Sequence, residues 1–248
     1  MRSTLSSPDF VKIIDAMCDT LEQEKGYLSE LDGAIGDGDH GVNMAKCFRE
    51  VKKKLPENID KDTGTILKNV GMVILNSVGG AMGALYGTFF LKASKEVMGK
   101  MEVNLEDLIK MFEAGEKGIQ EMGKAQLGDK TLLDTIDPAV KALKEAQAKG
   151  RSLIDALADF SEAAKRGAES TREMISKIGR SSRLGERTIG HQDAGATSCY
   201  FVLNAFYQAI TEESIIEQTS HFSSLKRSSL MVHFSCHSRE NGNPGPRK

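Results

Sequence analysis

Proline is scarce in this chain: five occur in 248 residues, at Pro8, Pro56, Pro138, Pro244 and Pro246, so long stretches carry nothing that interrupts a helix. Cysteine is rarer still. Cys18, Cys47, Cys199 and Cys236 show no CxxC spacing and sit mostly inside apolar stretches, which reads as reduced, structural thiols of a cytoplasmic protein. An excess of one charge is missing too, with 33 Lys and Arg against 35 Asp and Glu, so the basic surface of a nucleic-acid binder is not expected. No apolar run approaches the roughly 20 residues needed to cross a bilayer. The N-terminus is acidic and amphipathic and lacks a signal-peptide core. No membrane span is expected.

What the chain does have is apolar residues returning every three or four positions, the period of a helix with one buried face. The first helix is expected to begin at Ser7-Pro8, a capping residue followed by proline at the first helical position, with Phe10, Ile14, Met17 and Leu21 inward, and to end near Gly26. A second, with Val42, Ala45, Phe48 and Val51 inward, stops before Pro56. Others are predicted over about 64–78, about 84–99, from Asn104 through Leu108, Met111, Phe112 and Ile119, and over about 131–148, 152–178 and 195–211. Eight helices with short connections and no convincing strand predict an all-α antiparallel bundle around one core, within a domain of residues 1–211. Residues 212–248 break the pattern. They are rich in Ser, Asn, Gly and charge, with one short apolar run from Leu230 to Phe234, and predict a disordered extension that buries too little surface to offset its ordering entropy.

Chemistry concentrates in four glycine-rich connections. In Asp32-Gly33-Ala34-Ile35-Gly36-Asp37-Gly38-Asp39-His40-Gly41 three carboxylates fall within eight residues, and glycine lets them converge on a hard divalent cation such as Mg²⁺. The competing reading is a solvated loop with aspartates as turn residues. A calcium EF-hand fails, because counting from Asp37 puts Val42 where glycine is needed and Phe48 where glutamate is needed. The second stretch, Gly79-Gly80-Ala81-Met82-Gly83-Ala84-Leu85-Tyr86-Gly87, suits close approach of a phosphate to a helix start. It lacks the Gly-Lys-Ser/Thr of a Walker A loop and by itself also fits plain helix packing. The third, Gly128 to Asp134, and the fourth, Gly179 to Arg187 running on to Gly190-His191-Gln192-Asp193-Ala194-Gly195-Ala196, are polar loops between helical patterns. Four such loops, separated by helices of a few turns, can meet at one end of an up-and-down bundle and form a rim.

Together GDGDHG, NSVGGAMGALYG, GDKTLLD and GERTIGHQDAGATS resemble the ADP-binding subunit of phosphotransferase-dependent dihydroxyacetone kinases and the equivalent domain of the ATP-dependent enzymes. The resemblance covers about residues 8 to 211 and implies a helical barrel with a nucleotide site at one end. It places Asp32, Asp37 and Asp39 as ligands of two Mg²⁺ ions that bridge nucleotide phosphates. His40, Gly41, Val42, Asn43, Ala81, Met82, Gly123, Leu132, Arg180, Asp193, Ala194 and Gly195 fall on positions that line the family's ADP site. Met82 stands where the family commonly has a small hydroxyl residue, and Ala194 where the last motif usually has proline.

The same resemblance implies phosphoryl transfer from the nucleotide to dihydroxyacetone held on a histidine of a partner kinase subunit. The nucleotide is ADP or ATP. In one branch ADP is a retained cofactor rephosphorylated in place by a phosphohistidine protein of the phosphotransferase system. In the other, ATP is an ordinary substrate. No substrate domain is fused to this chain, which favours a separate subunit and the first branch. No nucleophile and base pair is expected, since the work is positioning and charge neutralisation. A homodimer, and a role as nucleotide-state sensor for a transcription regulator, are further family possibilities; fatty-acid kinases share the nucleotide domain but carry a threonine in place of His40 and a long second domain.

Overall fold

A computed structural model of the protein describes residues 2–77 and 80–211. Gly79 of the second glycine-rich stretch, Cys236 and the segment 212–248 lie outside the described residues. The elements in chain order are β1 (Thr4–Ser6), α1 (Ser7–Gln23), α2 (Lys25–Ile35), α3 (His40–Lys54), α4 (Thr63–Ser77), α5 (Ala81–Glu96), β2 (Glu102–Asn104), α6 (Leu105–Gly123), α7 (Leu133–Ala148), α8 (Leu153–Ser170) and α9 (194–211). Among the described residues the bundle is all-helical apart from one clip of two short strands. Helix α3 packs on α1, α2 and α4, and the chain then runs on as adjacent pairs from α4 to α8. Helix α9 closes the ring, its Phe206 meeting Phe10 of α1 at 5.8 Å and Phe112 of α6 at 5.5 Å. Phe112, almost fully buried, also stacks on Phe89 and Phe160. Truncating such a residue to alanine costs about 3–5 kcal/mol.

Several local features differ from the sequence expectation. The cap of α1 is Ser6, one residue earlier than expected: its hydroxyl accepts from the Asp9 amide while the Asp9 carboxylate accepts from the Ser6 amide at 2.6 Å. Pro8 is therefore the second helical residue. The expected loop after Gly26 is instead α2, a helix with two glycines and only Leu28 and Ile35 buried, too weak a stripe to read from spacing. Val42 points outward, 54% exposed, because the inward positions of that turn are His40 and Gly41. Helix α8 stops at Ser170 instead of running to 178. There the Thr171 hydroxyl donates to the Ala168 carbonyl and accepts from the Asp193 amide at 3.0 Å, tying the chain to the next loop. Strands β1 and β2 pair antiparallel with Leu5 opposite Val103, both fully buried. Three-residue strands carry no period to detect.

Candidate functional site

Four residues, Gly36 to Asp39, separate α2 from α3. Asp32 sits in the last turn of α2, Asp37 in the loop and Asp39 at the cap of α3, and one carboxylate oxygen from each falls within 4.8 Å of the others. Gly38 makes this possible with φ of +75°, a left-handed bend that other residues adopt at a cost. Magnesium binds oxygen at about 2.0–2.1 Å, so ligands on opposite sides of one ion stand about 4 Å apart. Oxygens gathered this closely fit one ion, or two ions about 3.5–4 Å apart that share carboxylates. The Arg180 guanidinium reaches across from the fourth loop, paired with Asp37 and 3.9 Å from Asp39.

Asp39 caps α3 without a side-chain hydrogen bond, which leaves first-turn amides of that helix available to an anion. The His40 amide donates to Asp32 at 3.2 Å. Its ring is buried, with Nε2 2.9 Å from Ser198 Oγ. Ser198 donates to the Gly195 carbonyl and lies 3.1 Å from the Tyr86 hydroxyl. His40, Ser198 and Tyr86 thus form one buried polar cluster behind the start of α3. Burial lowers the His40 pKa against the pull of Asp32 and Asp39, and the ring is neutral at pH 7. The site begins on a rigid polar floor.

The remaining loops arrive at the same end. Ala81 is exposed at the start of α5 and Met82 is half-buried behind it; the Met82 methyl lies 4.0 Å from the point where a side chain on Gly195 would begin. Asp193 caps α9, accepting from the Ala196 amide at 2.7 Å. Burial, with the charges of Asp134 and Asp32, pushes its carboxyl up to about 6 against the Ala196 amide and Lys130. Gly123 ends α6, with room for a side chain limited by Leu85. Asp134 folds the third loop by accepting from the Gly128 and Thr131 amides at 2.6 and 2.8 Å, and Thr135 donates to the Ala196 carbonyl. Asn43 is half-buried, its amide bonded to the Asp39 carbonyl, and Ala194 is buried at the start of α9. Val42 faces solvent at the rim, and Leu132 belongs to the core beneath. Spacing alone missed Lys130, Asp134, Tyr86 and Ser198. All four stand inside the quoted motifs, but only the fold shows that they are buried.

Residues 34–208 match the DAK2 domain family. The PEP-dependent dihydroxyacetone kinase ADP-binding subunit DhaL of Escherichia coli strain K12 is 44% identical over 209 residues, covering 84% of this chain and all of the relative. The chain belongs to the family of dihydroxyacetone kinase ADP-binding subunits. Another member, the PTS-dependent ADP-binding subunit of Lactococcus lactis, is 35% identical over 77% of this chain and 91% of its own length. Among solved structures, the dihydroxyacetone kinase of C. freundii in complex with AMP-PNP and Mg²⁺ superposes with a TM-score of 0.60 at 26% identity. That match covers 80% of this chain and 33% of the larger kinase. No helix among the described residues is long and apolar enough to cross a membrane.

Proposed function

We propose that this chain is the nucleotide-binding, phosphoryl-relaying subunit of a dihydroxyacetone kinase and that it works through a magnesium nucleotide held at the aspartate loop. The observation that carries the proposal is the convergence of Asp32, Asp37 and Asp39 oxygens within 4.8 Å beside the start of α3, with Arg180 reaching over them. Two magnesium ions on these three carboxylates would neutralise the phosphate oxygens and hold them for transfer. The chain's own part is to bind and orient. Within the first turn of α3, from His40 to Asn43, the Gly41 and Val42 amides are left for the phosphates, the His40 and Asn43 amides being bonded to Asp32 and to the Asp39 carbonyl, and the start of α5 at Ala81 and Met82 offers a second helix N-terminus. Arg180 offers a planar fork that can bridge two phosphate oxygens. Gly123, Asp193, Ala194 and Gly195 form the walls of the nucleotide site, with Leu132 in the core beneath them, all within the domain of residues 1–211. No nucleophile is needed from this chain, because phosphoryl transfer depends chiefly on positioning and electrostatics.

The acceptor is dihydroxyacetone on a partner subunit, and ADP is a retained cofactor recharged in place by a phosphohistidine protein. The 44% identity to a PEP-dependent subunit, set against 26% to the C. freundii kinase bound to AMP-PNP, supports this branch over direct use of ATP. The protein is expected to purify with ADP detectable by native mass spectrometry and to release it in EDTA. Asp37→Asn should lose the nucleotide and keep the helical circular dichroism; retention of ADP in that variant refutes the assignment of the carboxylates.

A further inference from the structure

Lys130 is 1% exposed, among the largest fully buried side chains of the protein, and has φ of +62°. Both features run against its type. Lysine is almost never fully buried without a partner, and a non-glycine residue at positive φ is uncommon. Its ammonium donates to the carbonyl of Met174 at 3.1 Å and to those of Thr188 and His191 at 2.5 and 2.6 Å. Three donors meet three acceptors, so the group is saturated.

Those carbonyls are not neighbours in sequence. Met174 and His191 bracket the segment from Ile175 to Gly190 and Thr188 lies near its end; the segment contains 3-10 turns on either side of a kink at Gly185 and carries Arg180. Other bonds join the same two ends: Gly190 amide to the Arg172 carbonyl at 2.7 Å, Ser176 amide to the Thr188 hydroxyl at 3.0 Å, and Arg172 to Gln192 at 3.1 Å. The segment is thus a compact loop with its ends together, closed on a cation that comes from a different loop, between α6 and α7. Burial lowers the Lys130 pKa, and the charge of Asp193, which caps α9, partly offsets this by favouring the cation.

We infer that Lys130 is a positioning residue, whose ammonium pins the loop of residues 174–191 in the shape that sets Arg180 over the aspartate loop and thereby tightens nucleotide binding. This rests on the reading of Arg180 as a phosphate contact. Lys130→Met keeps the length of the side chain and removes the donors. It should weaken magnesium ADP binding by at least about tenfold while adding less than about threefold in an Arg180→Ala background, since residues that act through one another are not additive. Equal losses in both backgrounds mean that Lys130 is only structural, and overturn the inference.

Limited trypsin digestion separates this test from the nucleotide reading. Cleavage of intact chain at Arg183 or Arg187 should accelerate in Lys130→Met without nucleotide present, whether or not the wild type binds ADP. Unchanged cleavage also overturns it. Should the variant fail to fold, hydrogen exchange on the wild type takes its place: the amides of Ser176, Gly190 and Asp193 should exchange as slowly as those of α7. Exchange at the rate of an open loop refutes the pinning.

Discussion

Replacing Gly41 with alanine should dismantle the site and leave the bundle folded. Gly41 lies in the first turn of α3, where it presses against α2. A methyl group there would overlap the Lys25 carbonyl oxygen and stand 2.7 Å from Ser29 Oγ and 2.8 Å from the Ser29 amide. Carbon and its heavier neighbours settle at about 3.5 Å, so the start of α3 must retreat by roughly 1 Å or more. The hydroxyl can rotate away, but the two backbone atoms belong to α2 and cannot. Asp39 and His40, next to Gly41 in the chain, move with it. Magnesium tolerates little change from its distance of about 2.0–2.1 Å to oxygen, and a misplacement of about 1 Å in a reacting assembly can cost about a hundredfold. Overpacking itself costs about 1–3 kcal/mol, a fall in Tm of about 2–12 °C for a chain of this size. Calorimetric titration with magnesium ADP and a thermal melt on the same preparation measure both effects. A Tm that falls while affinity stays within about threefold of wild type would show that contact between α2 and α3 does not set the site.

Burial, the Asp137 charge and a hydrogen bond to Asp137 push the Glu116 carboxyl up to about 7, against Lys144 and Lys141. The native state thus holds this proton more tightly than the unfolded chain, so the stabilisation is complete below about pH 4.5 and lost as pH rises through 7. Glu116→Gln should match wild type at pH 4 and exceed it at pH 8 by about 1–2 kcal/mol, after discounting for solvent at this partly exposed pair; parallel melting curves at both pH values refute the carboxyl pairing. Ending the chain at Thr211 should leave ADP retention and Tm unchanged, and a drop of several degrees would make residues 212–248 an integral element. Mixed with its substrate subunit and dihydroxyacetone, the protein should turn over repeatedly only with a phosphohistidine donor, and many turnovers on millimolar ATP alone would move it to the ATP-dependent branch.

Local rules were enough for much of this molecule. The capping residue Asn104, the inward faces of α1 and α6 and the crowding of three aspartates between helices are all legible in the sequence, because each depends on residues a few positions apart. The family motifs likewise named the loops that meet at one end. Features set by partners far along the chain were not legible. Thr171 ends α8 through a bond to Asp193, Leu5 finds Val103 across the strand clip, and Ser198 meets the ring of a histidine 158 residues away. Lys130 is the extreme case. In the sequence it is one charge in a polar loop, which solvent ordinarily claims, and only the packing of two loops removes water and supplies three carbonyls in its place. Spacing along a chain encodes which face of a helix is apolar; it does not encode which distant backbone groups will be left needing a donor once those faces have closed.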